Sequence, residues 1–149
     1  MSDKYEALRL KNQLCFPLYL CAKEVTRKYT PILDELDLTY TQYVVMMYLW
    51  EQDGCTVHQI GDTLMLDPST LTPLLKKLES KGYISRTRSE TDERSLNIVL
   101  TEKGSALKDK ALSIPEQMRC CIGLTPEEGA ALYGLIMKVL NNIENTEKE

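Results

Sequence analysis

The run Leu66-Asp-Pro-Ser-Thr-Leu71, with further leucines at 74, 75 and 78 and then Gly82, constrains this chain more than any other feature. Asp is a strong helix N-cap because its carboxylate accepts from the free N–H groups of the first turn. Pro at the next position loses nothing, since that N–H has no helical acceptor. Leu71, Leu74, Leu75 and Leu78 fall on one face at helical spacing, and Gly82 is a natural terminator. The outer face of this helix then carries Ser69, Thr70, Thr72, Pro73, Lys76 and Lys77.

The neighbours of that helix extend the pattern. Upstream, Thr56 can cap a shorter helix with Val57, Ile60 and Leu64 turned inward. Downstream, Tyr83–Arg88 and Leu96–Leu100 read as strands, the second alternating Leu96, Ile98, Leu100. The polar loop Ser89-Glu-Thr-Asp-Glu-Arg-Ser95 joins them into a hairpin with an exposed tip. Short helix, tight turn, longer helix and hairpin follow in the order of a winged helix-turn-helix. Hydroxyls at the start of a helix and lysines further on suit groove and phosphate contact. The helix alone reads first as an ordinary amphipathic helix with a solvated face, and the hairpin shifts the balance. Arg86 and Arg88 stand on its first strand, and Arg94 at the tip can enter a narrow minor groove. Asp92 and Glu93 would repel phosphate, so Asp92 is expected to brace Arg94.

Net charge is −4, which taken alone argues against nucleic acid. Between Pro68 and Lys103, however, seven basic residues face five acidic ones, leaving a net +2 stretch on a body of net −6.

The remaining sequence predicts helices. Leu8–Leu36 has apolar positions Leu14, Leu18, Cys21 and Val25 at helical spacing, interrupted by Pro17 and Pro31, each a start or a break. Thr39-Tyr-Thr-Gln42 is a capping box, and the helix it opens, Tyr43–Trp50, is apolar nearly all round and so belongs in a core. Ala106–Ile114 leads to Pro115. Thr125-Pro-Glu-Glu128 is a second capping box opening a helix with Leu132, Leu135, Ile136, Val139, Leu140 and Ile143 on one stripe. That stripe can pack on the N-terminal helix, on another subunit, or on both, which means a dimer. The expected fold is mainly α with a small β-hairpin wing. One domain is expected over 1–149, with the reading head at about 39–104 and a dimerisation region formed by 1–38 and 105–149.

The longest strongly apolar run, Tyr43–Trp50, is far shorter than the roughly 20 residues that span a bilayer. The charged start MSDKYEALRL lacks the apolar centre of a secretory signal, so a cytoplasmic location is expected. The five cysteines, Cys15, Cys21, Cys55, Cys120 and Cys121, form no C-x-x-C pair, and His58 is the single histidine. No metal or cofactor is expected, and the thiols are either structural or redox-active.

The string Leu71-x-x-Leu-Leu-x-x-Leu-Glu-x-x-Gly-Tyr-Ile-x-Arg86, then Asp92-Glu-Arg94 and Leu100-Thr-Glu-Lys-Gly104, resembles the MarR family over essentially the whole chain. The resemblance implies a dimeric winged-helix repressor bound to a pseudo-palindromic operator, and no enzyme. Asn12-Gln-Leu-Cys-Phe16, Leu18-Tyr19, Tyr29-x-Pro31-x-Leu33 and Leu38-Thr-Tyr-x-Gln-Tyr43 are similar to the organic-hydroperoxide-sensing branch of that family. It implies that Cys15 is the peroxide sensor. Tyr29 and Tyr40 of the partner subunit would hydrogen-bond its sulfur, with Tyr19 a further neighbour. The chemistry is sound: the thiolate is the nucleophile, phenolic O–H groups stabilise an anion, a helix N-terminus acts in the same sense, and oxidation yields sulfenic acid. Phe16, Leu18, Tyr19, Met46 and Met47 are candidate apolar walls.

In two-cysteine members the sensor then links to a C-terminal cysteine of the other subunit. Cys120 is the expected resolving thiol, with Cys121 as the alternative; one-cysteine members use small thiols instead. Two departures stand out. Pro17 replaces an ordinary helix former, so the backbone beside Cys15 is expected to differ. Pro68-Ser69 replaces small polar residues, which bears on operator preference. Two other functions fit the residues: a regulator released by a small aromatic ligand, and a cysteine peroxidase, disfavoured because no arginine adjoins Cys15.

Overall fold

The computed structural model describes residues 4–92 and 94–147; Glu93, one of the two loop carboxylates considered above, lies outside them. Two short 3-10 turns, Glu6–Leu8 and Leu10–Asn12, precede α1 (Cys15–Asp34) and α2 (Tyr40–Glu51). Then come β1 (Cys55–Thr56), α3 (Val57–Leu64), α4 (Pro68–Ser80), β2 (Ile84–Arg88) and β3 (Leu96–Leu100). Helices α5 (Glu102–Ala111), α6 (Ile114–Ile122) and α7 (Pro126–Thr146) complete the chain. It forms two compact bodies, one ending at Ile114 and one beginning at Pro115.

Local signals set most boundaries in the first body. Thr39 and Thr56 each close a full capping box, with Gln42 and Gln59. Asp67 caps α4 through Thr70 N–H at 3.0 Å, with Pro68 at the first helical position. At the far end Tyr83 N–H donates to Leu78 O and Gly82 N–H to Glu79 O, a Schellman closure. It requires the left-handed φ of +79° that Gly82 supplies.

The core of this body gathers Leu33, Val45, Met46, Leu49, Ile60, Leu71, Leu75, Leu78, Ile84 and Ile98, all essentially inaccessible. Helix α2 contributes Gln42, Tyr43, Val45, Met46 and Leu49 to it, as its all-round apolar sequence predicts. Met46 is fully buried there, which removes it from the expected wall of a peroxide pocket. Where α5 starts, a Cβ on Gly104 would meet the Tyr83 carbonyl at 1.9 Å, so only glycine lets the helix approach the head of β2. The Gly104 carbonyl in turn accepts from Trp50 Nε1 at 3.0 Å.

Four expectations are amended. The α-helical part of Leu8–Leu36 begins only at Cys15. Ahead of it, Asn12 Nδ2 donates to Glu6 O and Gln13 Nε2 to Ala7 O, tying the chain into 3-10 turns. Pro31 breaks nothing: it lies inside the last turns of α1, which runs on to Asp34. The hairpin is the larger part of a three-stranded antiparallel sheet of order β1-β3-β2, with Cys55 opposite Ile98 and Arg86 opposite Ile98 on the other side. A two-residue strand carries no alternation and leaves no periodic signal. Finally, α6 occupies the stretch between Pro115 and the last helix, with Pro115 in its first turn.

In the second body, Thr125 and Glu128 close a capping box at the start of α7. No residue of α7 is buried. Leu132, Leu135, Ile136, Val139, Leu140 and Ile143 are all exposed.

Candidate nucleic-acid interface and thiol site

Two groups of side chains, both on the first body, carry chemistry. The first is the outer face of α4. With Leu71, Leu74, Leu75 and Leu78 buried, Ser69, Thr70, Thr72, Pro73, Lys76 and Lys77 are all exposed. Ser69 donates its hydroxyl hydrogen to the Asp67 carboxylate. That bond, with the Thr70 N–H, holds the Asp67 carboxyl below its usual range.

The wing adds a second basic element. Arg88 is exposed at the end of β2, and Arg94 is exposed at the tip. Asp92 Oδ1 accepts from the Arg94 backbone N–H at 3.0 Å, and Ser95 N–H donates to Asp92 O at 2.9 Å. The brace therefore acts on the tip's backbone. Arg86 departs from expectation. Its Nε and Nη2 donate to Glu79 Oε2 at 2.8 and 2.7 Å, and its backbone N–H faces Glu79 Oε1 at 3.3 Å. It fastens β2 to the end of α4 through charge-assisted hydrogen bonds. The pair holds the Glu79 carboxyl below its ordinary value.

The second group surrounds α1. Cys15 is exposed at the first position of the helix. The N–H groups of a helix's first turn have no helical acceptor, and the helix dipole there favours an anion. Pro17 fits without disturbance at the third position, since its missing N–H is one of those orphans. The first intrahelical bond of this turn runs from Leu18 N–H to Leu14 O at 3.4 Å. Tyr19, one turn beyond Cys15, is exposed.

Tyr29 and Tyr40 come together from α1 and α2 with ring centroids 4.8 Å apart. Tyr43 lies 5.9 Å from Tyr29 and 6.4 Å from Trp50, extending an aromatic row inward. Burial, reinforced by Tyr40 and Tyr43, pushes the Tyr29 phenol up, so it stays protonated as a donor. The tyrosine pair and Cys15 of one chain are far apart. Fourteen residues of continuous helix separate Cys15 from Tyr29, about 21 Å at the helical rise. A contact between this sulfur and these phenols requires a second chain.

The other thiols divide by exposure. Cys55 is buried in β1, and desolvation raises its thiol. Cys21, Cys120 and Cys121 are exposed. On α6 of the second body, Cys120 Sγ lies 3.8 Å from Glu116 Oε1, and Arg119 holds the same carboxylate at 2.7 Å. Among the described residues no group of three His, Cys, Asp or Glu side chains is placed to hold a metal ion, and no helix is long and apolar enough to cross a membrane.

Sequence reasoning missed the partner of Arg86 and the role of Lys81, whose ammonium reaches Gln42 at 3.1 Å. The Schellman turn that reverses the chain after α4 is the one local signal that Glu79 and Arg86 would meet.

Comparisons with known proteins agree with this geometry. The family described as transcriptional regulator SarA/Rot matches residues 27–111. The organic hydroperoxide resistance transcriptional regulator of Bacillus subtilis (strain 168) is 46% identical over 143 residues, covering 91% of this chain and 95% of that protein. The structure of reduced AbfR bound to DNA, a protein of Staphylococcus epidermidis, superposes with a TM-score of 0.78 at 33% identity, covering 95% of this chain and 99% of that one. Disulfide-formed AbfR superposes at 0.61 with 34% identity, covering 92% and 96%. The chain belongs to the SarA/Rot-type branch of the MarR family of winged-helix transcriptional regulators.

Proposed function

We propose that this protein is a homodimeric repressor that leaves its operator when Cys15 is oxidised by an organic hydroperoxide. The carrying observation is the separation within one chain of an exposed Cys15, at one end of α1, from the Tyr29–Tyr40 pair at the other. A sensor site completed by the partner's phenols makes DNA binding sensitive to the state of one sulfur. The exposed stripe of α7 supplies apolar surface for such a dimer.

The chemistry is a two-electron oxidation. The Cys15 thiolate attacks the distal oxygen of the hydroperoxide, the O–O bond breaks, and the alkoxide leaves and takes up a proton to become the alcohol. The sulfur is left as sulfenic acid. A second thiol, Cys120 or failing that Cys121 of the partner, then displaces hydroxide from that sulfur as water and forms a disulfide. One peroxide is consumed per Cys15, so the protein acts as a switch.

On DNA, each subunit sets the α4 outer face, with Ser69, Thr70, Thr72, Lys76 and Lys77, in a major groove. Arg88 and Arg94 reach the flanking backbone and minor groove. Two-fold symmetry calls for inverted half-sites about one helical turn apart. The likeness to AbfR structures determined in reduced, DNA-bound and disulfide states supports this reading.

The test pairs intact mass with operator binding. An operator is first selected from random duplexes by the reduced wild-type protein. Wild type and Cys15→Ser are then treated with one equivalent of cumene hydroperoxide without reductant. The expected result is a Cys15-dependent covalent dimer, mapped to Cys120 or Cys121, together with release of DNA by wild type alone. Release by Cys15→Ser would place the sensor elsewhere.

A further inference from the structure

Lys81 caps the C-terminus of α4, but its side chain leaves that helix altogether. Its Nζ donates to the Asp37 carbonyl at 2.5 Å and to Gln42 Oε1 at 3.1 Å, with the Asp37 carboxylate 3.4 Å away. Asp37 stands in the turn between α1 and α2 with a left-handed φ of 52°. Gln42 is a buried polar side chain, 3% exposed. The oxygen that meets Lys81 also accepts from Thr39 N–H at 3.0 Å, in the capping box that starts α2 at Tyr40. One oxygen is thus shared between the start of the tyrosine-bearing helix and the end of the recognition helix.

A parallel link lies beside it, where Tyr83 Oη donates to Leu36 O at 2.8 Å. The wing side of the junction is held firmly. Lys103 Nζ donates to Lys81 O at 2.8 Å, and Thr101 Oγ1 to Gly82 O at 2.6 Å.

We propose that Lys81 is a positioning residue that transmits the state of the Tyr40 end of α2 to the recognition helix. The inference rests on the reading of Cys15 as a sensor whose partners include Tyr40. Oxidation changes what the sulfur offers the Tyr40 phenol. Tyr40 is the first residue of α2, so its displacement moves the first turn and Gln42 with it. The Lys81 side chain is 23% exposed, and its acceptor on Gln42 belongs to a buried side chain, so the ammonium follows that oxygen. The hairpin starts three residues later at Ile84, so movement of this junction re-aims both the α4 face and the wing.

The experiment uses the full-length protein, the selected operator and cumene hydroperoxide, with Lys81→Met and Lys81→Arg beside wild type. The readout is the ratio of operator affinities in the reduced and oxidised states, with Cys15 oxidation followed by intact mass. Lys81→Met should oxidise at the wild-type rate while that ratio shrinks at least about fivefold, the lower end of ordinary allosteric coupling. Lys81→Arg, which keeps a donor to both acceptors, should restore the ratio. A wild-type ratio in Lys81→Met overturns the proposal. Should Lys81→Met fail to fold, Lys81→Gln, which removes the ammonium shared by Asp37 and Gln42, takes its place, and an unchanged ratio there overturns it equally. Wild-type protein that oxidises without releasing DNA refutes the sensor reading itself, and that result is visible before any variant is made.

Discussion

Helices α4 and α7 carry the same kind of apolar stripe and meet opposite fates. In α4, Leu71, Leu75 and Leu78 are no more than 1% exposed. In α7, Leu132, Ile136 and Leu140 are 41, 40 and 37% exposed. Periodicity specifies a face and leaves open what covers it. The α4 stripe is followed at once by a Schellman turn and strands that fold back on it, while the α7 stripe ends the described chain. The reading head therefore completes its own core, and α7 offers a surface that another copy can cover. Covering the exposed 37–62% of these six side chains would contribute part of the roughly 1.5–3 kcal/mol that full burial of each gives, a driving force for the proposed dimer.

The comparison is broken most directly by charge on α7. The double variant Ile136→Asp/Leu140→Asp should raise the dissociation constant of the proposed dimer by about a thousandfold, the loss of two anchors of roughly 2 kcal/mol each. Sedimentation of the folded protein checks this, and an unchanged dimer would move the interface elsewhere.

A single truncation sharpens the contrast. Leu75→Ala should destabilise by about 2–5 kcal/mol, the range for a leucine removed from a closed core, and equally at every protein concentration. Leu135→Ala, on a 62% exposed side chain, should act through association alone. Denaturant titrations at several concentrations separate the two.

The smallest effect concerns the ends of α4. Glu79 and Asp67 have carboxyls held below their ordinary range by Arg86 and by Ser69 with Thr70, respectively. A lowered folded value means stability that is present above the usual carboxylate range, near pH 4, and lost as pH falls through the folded value. Glu79→Gln should flatten part of the acid limb of the stability profile. The hydroxyl cap of α7 at Thr125 does not titrate, so Thr125→Ala should shift the whole profile down by about 0.5–2 kcal/mol without changing its shape.

Much of the reading head was legible because its signals act over a few residues. Asp67-Pro68, the leucine spacing, Gly82 and the capping boxes at Thr39 and Thr125 each place a group within one turn of its partner. The choice of Cys15, Tyr29 and Tyr40 as a candidate site came from the resemblance of their motifs, and the contact between the two tyrosines came from the fold. What composition and spacing alone left open was which thiol is sensitive.

The sequence by itself determined the capped helix starts at Thr39, Thr56, Asp67 and Thr125, the inward faces, the hairpin and the outward set on α4, since these depend on local hydrogen bonding and periodicity. Tertiary structure decided the rest. It paired Arg86 with Glu79, put Tyr29 against Tyr40, added β1 to the sheet and seated Lys81 on Gln42. Those partners lie 7 to 43 residues apart in the chain, and the packing of the core, which no local pattern encodes, brings their polar and aromatic groups within reach.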